Sequence, residues 1–270
     1  YWVISGDANS DFTGGSGELE AITEDVWLST TGNDSSSGLS ESEAFLTLNR
    51  ALSLIYPTPV SPVTINIAEG TYSPSTTGWT FPIFLINNIN LGGAGEELTI
   101  IDAEQTSRVI ILYENDNITI SDLTITGGNT SDDGGGMFVH GSDPILTDVT
   151  ISGNTADSHG GGMFVHGSDP ILTDVTISGN MADNGGGMSL FDSNPTLINS
   201  IIWDNGPNSI FIDGSTAIIT YSDIEGGWEG EGNIDQDPLF TDPSNGDYTL
   251  ISDPPNNVSP CIDTGTADID

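Results

Sequence analysis

Oxygen-bearing side chains recur in this chain at intervals of 25 or 26 residues. Asp132, Asp157 and Asp183 stand shortly before glycine triplets, Asp143 is followed by Asp169 and Asn194, and Asp148 by Asp174 and Asn199. Like carboxylates opposed across a rung of ~4.8 Å repel one another unless they are hydrated, screened or bridged. Oxygen-only ligands suit Ca2+, so Ca2+ is the expected cofactor, with Asp132, Asp157, Asp183, Asp148 and Asp174 as ligands. The competing expectation is that each aspartate caps its own turn. A second calcium candidate is Asp7-x-Asn9-x-Asp11 with Glu18, which matches EF-hand positions one, three, five and twelve, but Phe12 stands where that loop demands glycine. His140 and His166 share a repeat position that Phe191 continues, and His159 precedes the second glycine triplet. Stacked imidazoles bind transition metals or act as acid and base. The row also reads as a solvated face, because duplication supplies the second histidine automatically.

The elements that position these residues follow from the repeat. Residues 134–154 recur letter for letter at 160–180, and a looser copy starts at Gly185. A unit this short cannot bury its own apolar face, so successive copies must stack around one core. Short β-branched runs broken by Gly, Asn and Asp, at about three per repeat, predict an all-β parallel β-helix of roughly seven coils. Alternation points Met137, Val139, Leu146, Val149 and Ile151 inward, with Met163, Val165, Leu172, Val175 and Ile177 one coil on. Asn154, Asn180 and Asn205 are expected to stack as an inward amide ladder. Residues 63–225 are read as the β-helix and 26–62 as an N-terminal cap. Its helix opens at Ser42 and Glu43 and turns Ala44, Leu48, Ala51, Leu52 and Ile55 to one face. Residues 226–270, rich in proline, are read as an irregular C-terminal cap. Residues 1–25 are read as a Gly/Ser-rich extension whose apolar start, Tyr1-Trp2-Val3-Ile4, is a candidate strand donor for end-to-end self-assembly.

Charge narrows the partners. Forty acidic residues face two basic ones, Arg50 and Arg108, for a net charge of −38. Nucleic acid and anionic membrane surfaces both need positive charge on the protein and are excluded as expected partners. No run reaches the ~18 apolar residues of a membrane span. Four sequons, at Asn33, Asn117, Asn129 and Asn257, are candidate glycosylation sites.

The segments GGGM…LTDVTISGN, NSIIWDN, ITYSDIEGGWEGEGNIDQDPLF, NGDYTL and SPCIDTG resemble bacterial right-handed parallel β-helix surface proteins. These are adhesin-like and include the chlamydial polymorphic outer-membrane proteins with GG-[AILM] repeats. The resemblance covers about residues 26–266 and implies a right-handed β-helix and an extracellular or cell-surface location. It is poorly specific for activity, since such helices host adhesins, fibres, lyases and epimerases. Lyases and epimerases on uronate polymers need a cation for the sugar carboxylate and a base for the proton. With no lysine, Arg50 in the capping helix and Arg108 without an evident partner set, that machinery is nearly absent. The sequence therefore predicts a non-catalytic structural solenoid, adhesin-like or a self-assembling fibre subunit. The alternatives are a carbohydrate-active lyase or hydrolase on a neutral or weakly charged glycan, using Trp203, Trp228 or Tyr221 as stacking surfaces, and a calcium-dependent glycan-binding module.

Overall fold

The structure, a computed structural model, describes residues 21–253 and 257–262. Tyr1, Trp2, Val3, Ile4, Asp7, Asn9 and Asp11 lie outside the described residues. Parallel strands coil into a β-solenoid of about six turns. One face is a long sheet running from Val26–Leu28 through Val63–Ile67, Ile89–Gly92, Thr119–Thr126, Ile145–Ser152, Ile171–Ser178 and Thr196–Ile198 to Ile218–Thr220. The second face is a six-stranded sheet of Ile83–Phe84, Ile110–Tyr113, Met137–His140, Met163–His166, Met188–Phe191 and Ile210–Asp213. Copies stack in register, with Met137 on Met163, Val139 on Val165 and Leu146 on Leu172. All ten residues expected to point inward are buried, and each contributes about 1.5–3 kcal/mol of apolar burial.

The turns explain why aspartate and asparagine recur. Asp122, Asp148, Asp174 and Asn199 hold φ of 58°, 52°, 54° and 52°, and Tyr221 takes the same conformation at 52°. This left-handed bend is accessible to Asp and Asn at lower cost than to most side chains. The pairing skips from Thr147↔Thr173 to Val149↔Val175, leaving Asp148 and Asp174 at the corner.

The asparagine ladder forms as expected. Asn154 and Asn180 are fully buried. Asn154 Nδ2 donates to Asn180 Oδ1 and Asn180 Nδ2 to Asn205 Oδ1, each at 3.0 Å. Ser142, Ser168, Ser193 and Ser215 make a second ladder, in which each hydroxyl accepts the preceding coil's backbone N–H at 2.8–3.1 Å. Both ladders satisfy turn amides that the core would otherwise strand.

The capping helix starts later than the sequence suggests. It spans Leu48–Leu54, with Thr47 as N-cap accepting from the Arg50 amide, and Glu41–Glu43 form only a single 3-10 turn. Asp34 accounts for the delay. Its carboxylate accepts the Leu46 and Thr47 amides at 2.9 Å and the Thr47 hydroxyl at 2.8 Å. Phe45 is meanwhile drawn into backbone pairing with Trp27 and Ser29. The cap region also supplies Val26–Leu28 to the long sheet.

At the other end, the antiparallel strands Phe240–Asp242 and Asp247–Leu250 fold back along the outside of the long sheet. They enclose a cleft of about 570 Å³ lined by Glu96, Thr150, Ser152, Asp247 and Tyr248, among others. Glu96 accepts from the Thr150 hydroxyl at 2.8 Å. Burial raises its carboxyl above the usual glutamate range, and neighbouring Asp148, Glu97 and Asp122 add to the shift. A raised folded-state value means that the folded state holds the proton more tightly. The associated stability is full below the unfolded-state value and is lost as pH rises through the folded one. Glu96→Gln keeps the Thr150 acceptor and removes the charge. Its melting temperature should exceed that of the parent by a few degrees at alkaline pH and converge with it in acid, as read by circular dichroism melts across pH.

Candidate functional site

The outward positions of the six-stranded sheet form two aromatic rows. Met137 and Val139 point inward, so Phe138 and His140 must point out. Register then aligns Phe84, Ile111, Phe138, Phe164, Ser189 and Phe211 in one row, and Tyr113, His140, His166, Phe191 and Asp213 in the other. Phe138 and Phe164 stack with centroids 5.3 Å apart, as do Tyr113 and His140 at 4.8 Å. Ser189 interrupts the first row, and the His159 ring lies at that gap, 5.1 Å from Phe191 and 5.6 Å from Phe211.

His159 is held on both sides. It occupies the position just before its glycine triplet, in register with Asn184 on the next coil. Its Nδ1 lies 3.1 Å from Asp133 Oδ1 on the preceding coil and 2.7 Å from Ser158 Oγ. A carboxylate only accepts, so the Asp133 contact places the ring proton on Nδ1 and leaves Nε2 as the bare acceptor. The Asn184 side-chain nitrogen is 3.5 Å from Nε2. The histidine is thus oriented as a base. It is not the base of a serine nucleophile, because Ser158 and Asp133 share one nitrogen, whereas a triad puts them on opposite sides of the ring.

Arg108 joins this group. Its Nη2 donates to the Asp133 carbonyl at 2.9 Å, and its guanidinium carbon stands 5.3 Å from the Phe138 ring centroid. The view of Arg108 as a cation without partners is therefore corrected. A strand start says nothing about what the next coil brings alongside it, and that coil brings Asp132, Asp133 and Phe138.

The other expected sites scatter. Asp132, Asp157 and Asp183 do not form one ladder. Asn184 aligns with His159 and the Ser158 amide bonds the Asp132 carbonyl, so Ser158 stands between Asp132 and Asp183, and Asp157 lies one position earlier. Asp132 is exposed, 3.9 Å from Arg108. Asp148 and Asp174 serve the left-handed corner, and Asp143 and Asp169 accept the next coil's backbone amides at 2.7 and 2.6 Å. Among the described residues, no three His, Cys, Asp or Glu side chains gather in a group able to hold a metal ion. Asn33, Asn117 and Asn129 are exposed, and Asn117 Nδ2 donates to Asn88 Oδ1 at 2.8 Å. Asn257 begins the short strand Asn257–Val258. Trp203 and Tyr221 lie on the long-sheet side, and half-buried Trp228 packs against the core. The row of Phe84, Phe138, Phe164 and Phe211 on the six-stranded sheet was therefore missed, although the alternation in Met-Phe-Val-His already carried it.

Residues 88–233 match the family described as right handed beta helix region. The chain belongs to that family. The resemblance seen in the repeats holds at this level of the fold. No curated protein matches the β-helix chain. Among solved structures, it is similar to pectin methylesterase PemA from Erwinia chrysanthemi, at 16% identity and TM-score 0.44, covering 76% of this chain and 66% of PemA. It is also similar to pectate lyase Pel9A, at 15% identity and TM-score 0.50, covering 75% of this chain and 63% of Pel9A. A pectin methylesterase from carrot aligns at 12% identity and TM-score 0.37, covering 84% of this chain and 88% of that one. The chain thus spans just under two thirds of the length of PemA and Pel9A, and at these identities the likeness is one of fold. The expectation of a non-catalytic chain is corrected at the level of the fold, which in Pel9A is that of a pectate lyase. One premise behind that expectation, that Arg108 has no evident partner set, does not hold in the structure. Among the described residues, no helix is long and apolar enough to cross a membrane.

Proposed function

We propose that this β-helix is a carbohydrate-active enzyme that cleaves a neutral or weakly charged polysaccharide at the aromatic face, outside the cell or at its surface. The observation that carries the reading is the linked set Asp133–His159–Arg108 within two rows of outward aromatic rings. Aromatic faces stack on the apolar faces of sugar rings. Exposed Tyr113 and Phe84 and half-buried Phe138, Phe191 and Phe211 supply such a surface.

The reaction that fits these groups is β-elimination. His159 Nε2 takes the proton from the carbon next to the sugar's carbonyl carbon, the electron pair left behind forms a carbon–carbon double bond as the bond to the leaving oxygen breaks, and water protonates that oxygen. Arg108, the one cation on this face, favours the negative charge that develops on the carbonyl oxygen. A net charge of −38 repels a polyuronate. An esterified uronate polymer avoids that repulsion and needs no metal to neutralise its carboxylates. A methyl-esterified pectin-type chain therefore fits best.

The test is to incubate the protein with methyl-esterified and de-esterified homogalacturonan and follow both unsaturated and reducing ends. Unsaturated ends should appear from the ester only, and His159→Gln should lower turnover by about 10²–10⁴-fold. Reducing ends without unsaturation, lost in Glu96→Gln and kept in His159→Gln, would overturn the proposal in favour of hydrolysis by carboxylates in the long-sheet cleft.

A further inference from the structure

A second pair of histidines lies on the same sheet and takes no part in that chemistry. His140 and His166 are in register on adjacent strands, with ring centroids 4.8 Å apart. Their Nδ1 atoms face each other at 2.8 Å. Both are ring nitrogens, so the contact requires one proton between them, and a pair protonated at both Nδ1 atoms loses it. Tyr113 stacks on the far side of His140 with the rings 16° from parallel, which restrains that imidazole. Neither Nε2 has a hydrogen-bond partner among the described residues, so neither ring is fixed by an outside acceptor.

The separation selects among metals. Two ligands at ~2.0 Å from a metal, at right angles to one another, stand about 2.8–2.9 Å apart. This is the cis spacing of the tetragonal geometry that Cu2+ and Ni2+ adopt with nitrogen ligands. A tetrahedral zinc site with similar bonds spreads its ligands to about 3.3 Å. Imidazole suits copper, and Cu2+ stands highest in the divalent series. The strongly acidic surface also raises the local concentration of any cation.

We propose that His140 and His166 form a two-nitrogen site for Cu2+, with water in its remaining positions. The ion takes the place of the shared proton, which moves to the free Nε2 of its own ring, so both imidazoles bind in the neutral form and acid, by protonating them, weakens binding. Bound copper ties the Met137–His140 strand to Met163–His166 and thereby stabilises the stack by mass action. The site is independent of the reading of His159.

The test is a titration of the full chain with Cu2+ in excess Mg2+, which occupies the surface carboxylates. Electron paramagnetic resonance reports the ligands and calorimetry the affinity. One equivalent should bind with a two-nitrogen signature. His140→Gln and His166→Gln should each lose that signature and weaken binding by at least the about 10–100-fold that removal of a supporting outer-shell group costs, whereas His159→Gln retains both. Circular dichroism verifies that each variant is folded. An oxygen-only spectrum in the parent protein, or unchanged affinity and spectrum in either single variant, would overturn the site.

Discussion

Replacing Asn180 with alanine should destabilise the protein by about 3–5 kcal/mol, the largest loss expected from any single side chain that does not line the apolar core. Its Oδ1 accepts both the Asn154 amide N–H and the Asn154 side chain at 3.0 Å, and its Nδ2 donates to the Ile151 carbonyl at 2.8 Å and to Asn205 Oδ1. Asn154 is fully buried. Alanine therefore strands a backbone donor and a carbonyl where water does not reach, at about 1–3 kcal/mol each, and adds a cavity. Asn194 provides the contrast. It occupies an exposed outer turn and bonds only the Asp169 carboxylate, so Asn194→Ala should stay within about 0.5 kcal/mol. Urea denaturation followed by circular dichroism reads both variants. Similar midpoints for the two would show that the ladder is not what holds the coils together.

If the proposed reaction holds, Asp133→Asn should lower kcat about 10³–10⁴-fold with little change in KM. The carboxylate accepts from His159 Nδ1 and so keeps Nε2 free to take a proton. An asparagine amide turned toward the ring donates instead of accepting, which moves the ring proton to Nε2 and removes the base; losses of this size follow when the aspartate of a catalytic histidine is changed in this way. The Asp133 backbone carbonyl still receives Arg108, and the aromatic rows are untouched, so sugar binding should persist. A loss confined to KM, or one below about tenfold, would mean that Asp133 only packs beside His159.

The exact copy at 134–154 and 160–180 determined most of the architecture before any coordinate was known. Identical segments stacked in register must place Met on Met and Val on Val, and a two-residue period leaves no choice of which face is buried. The amide ladder was legible for the same reason, since an inward asparagine at every turn meets only the amides and backbone of the neighbouring coils. The helix start was not legible, because Asp34, more than ten residues upstream, captures the amides that would have opened it.

The candidate site divides along the same line. The sequence determined that Phe138 and His140 point outward and that His166 lies above His140. Only the tertiary structure decided that Asp133, His159 and Arg108 are brought together. Those residues belong to different coils. Asp133, His159 and Asn184 each stand immediately before a glycine triplet, whereas Asp157 stands three residues before its triplet and Asp132 and Asp183 two before theirs, so Asp157 falls out of the expected row. Hydrogen bonds between coils keep that register and bring an aspartate, a histidine and an asparagine to one position. Each coil alone carries just one of those groups. The arrangement exists only because stacking lays the coils side by side.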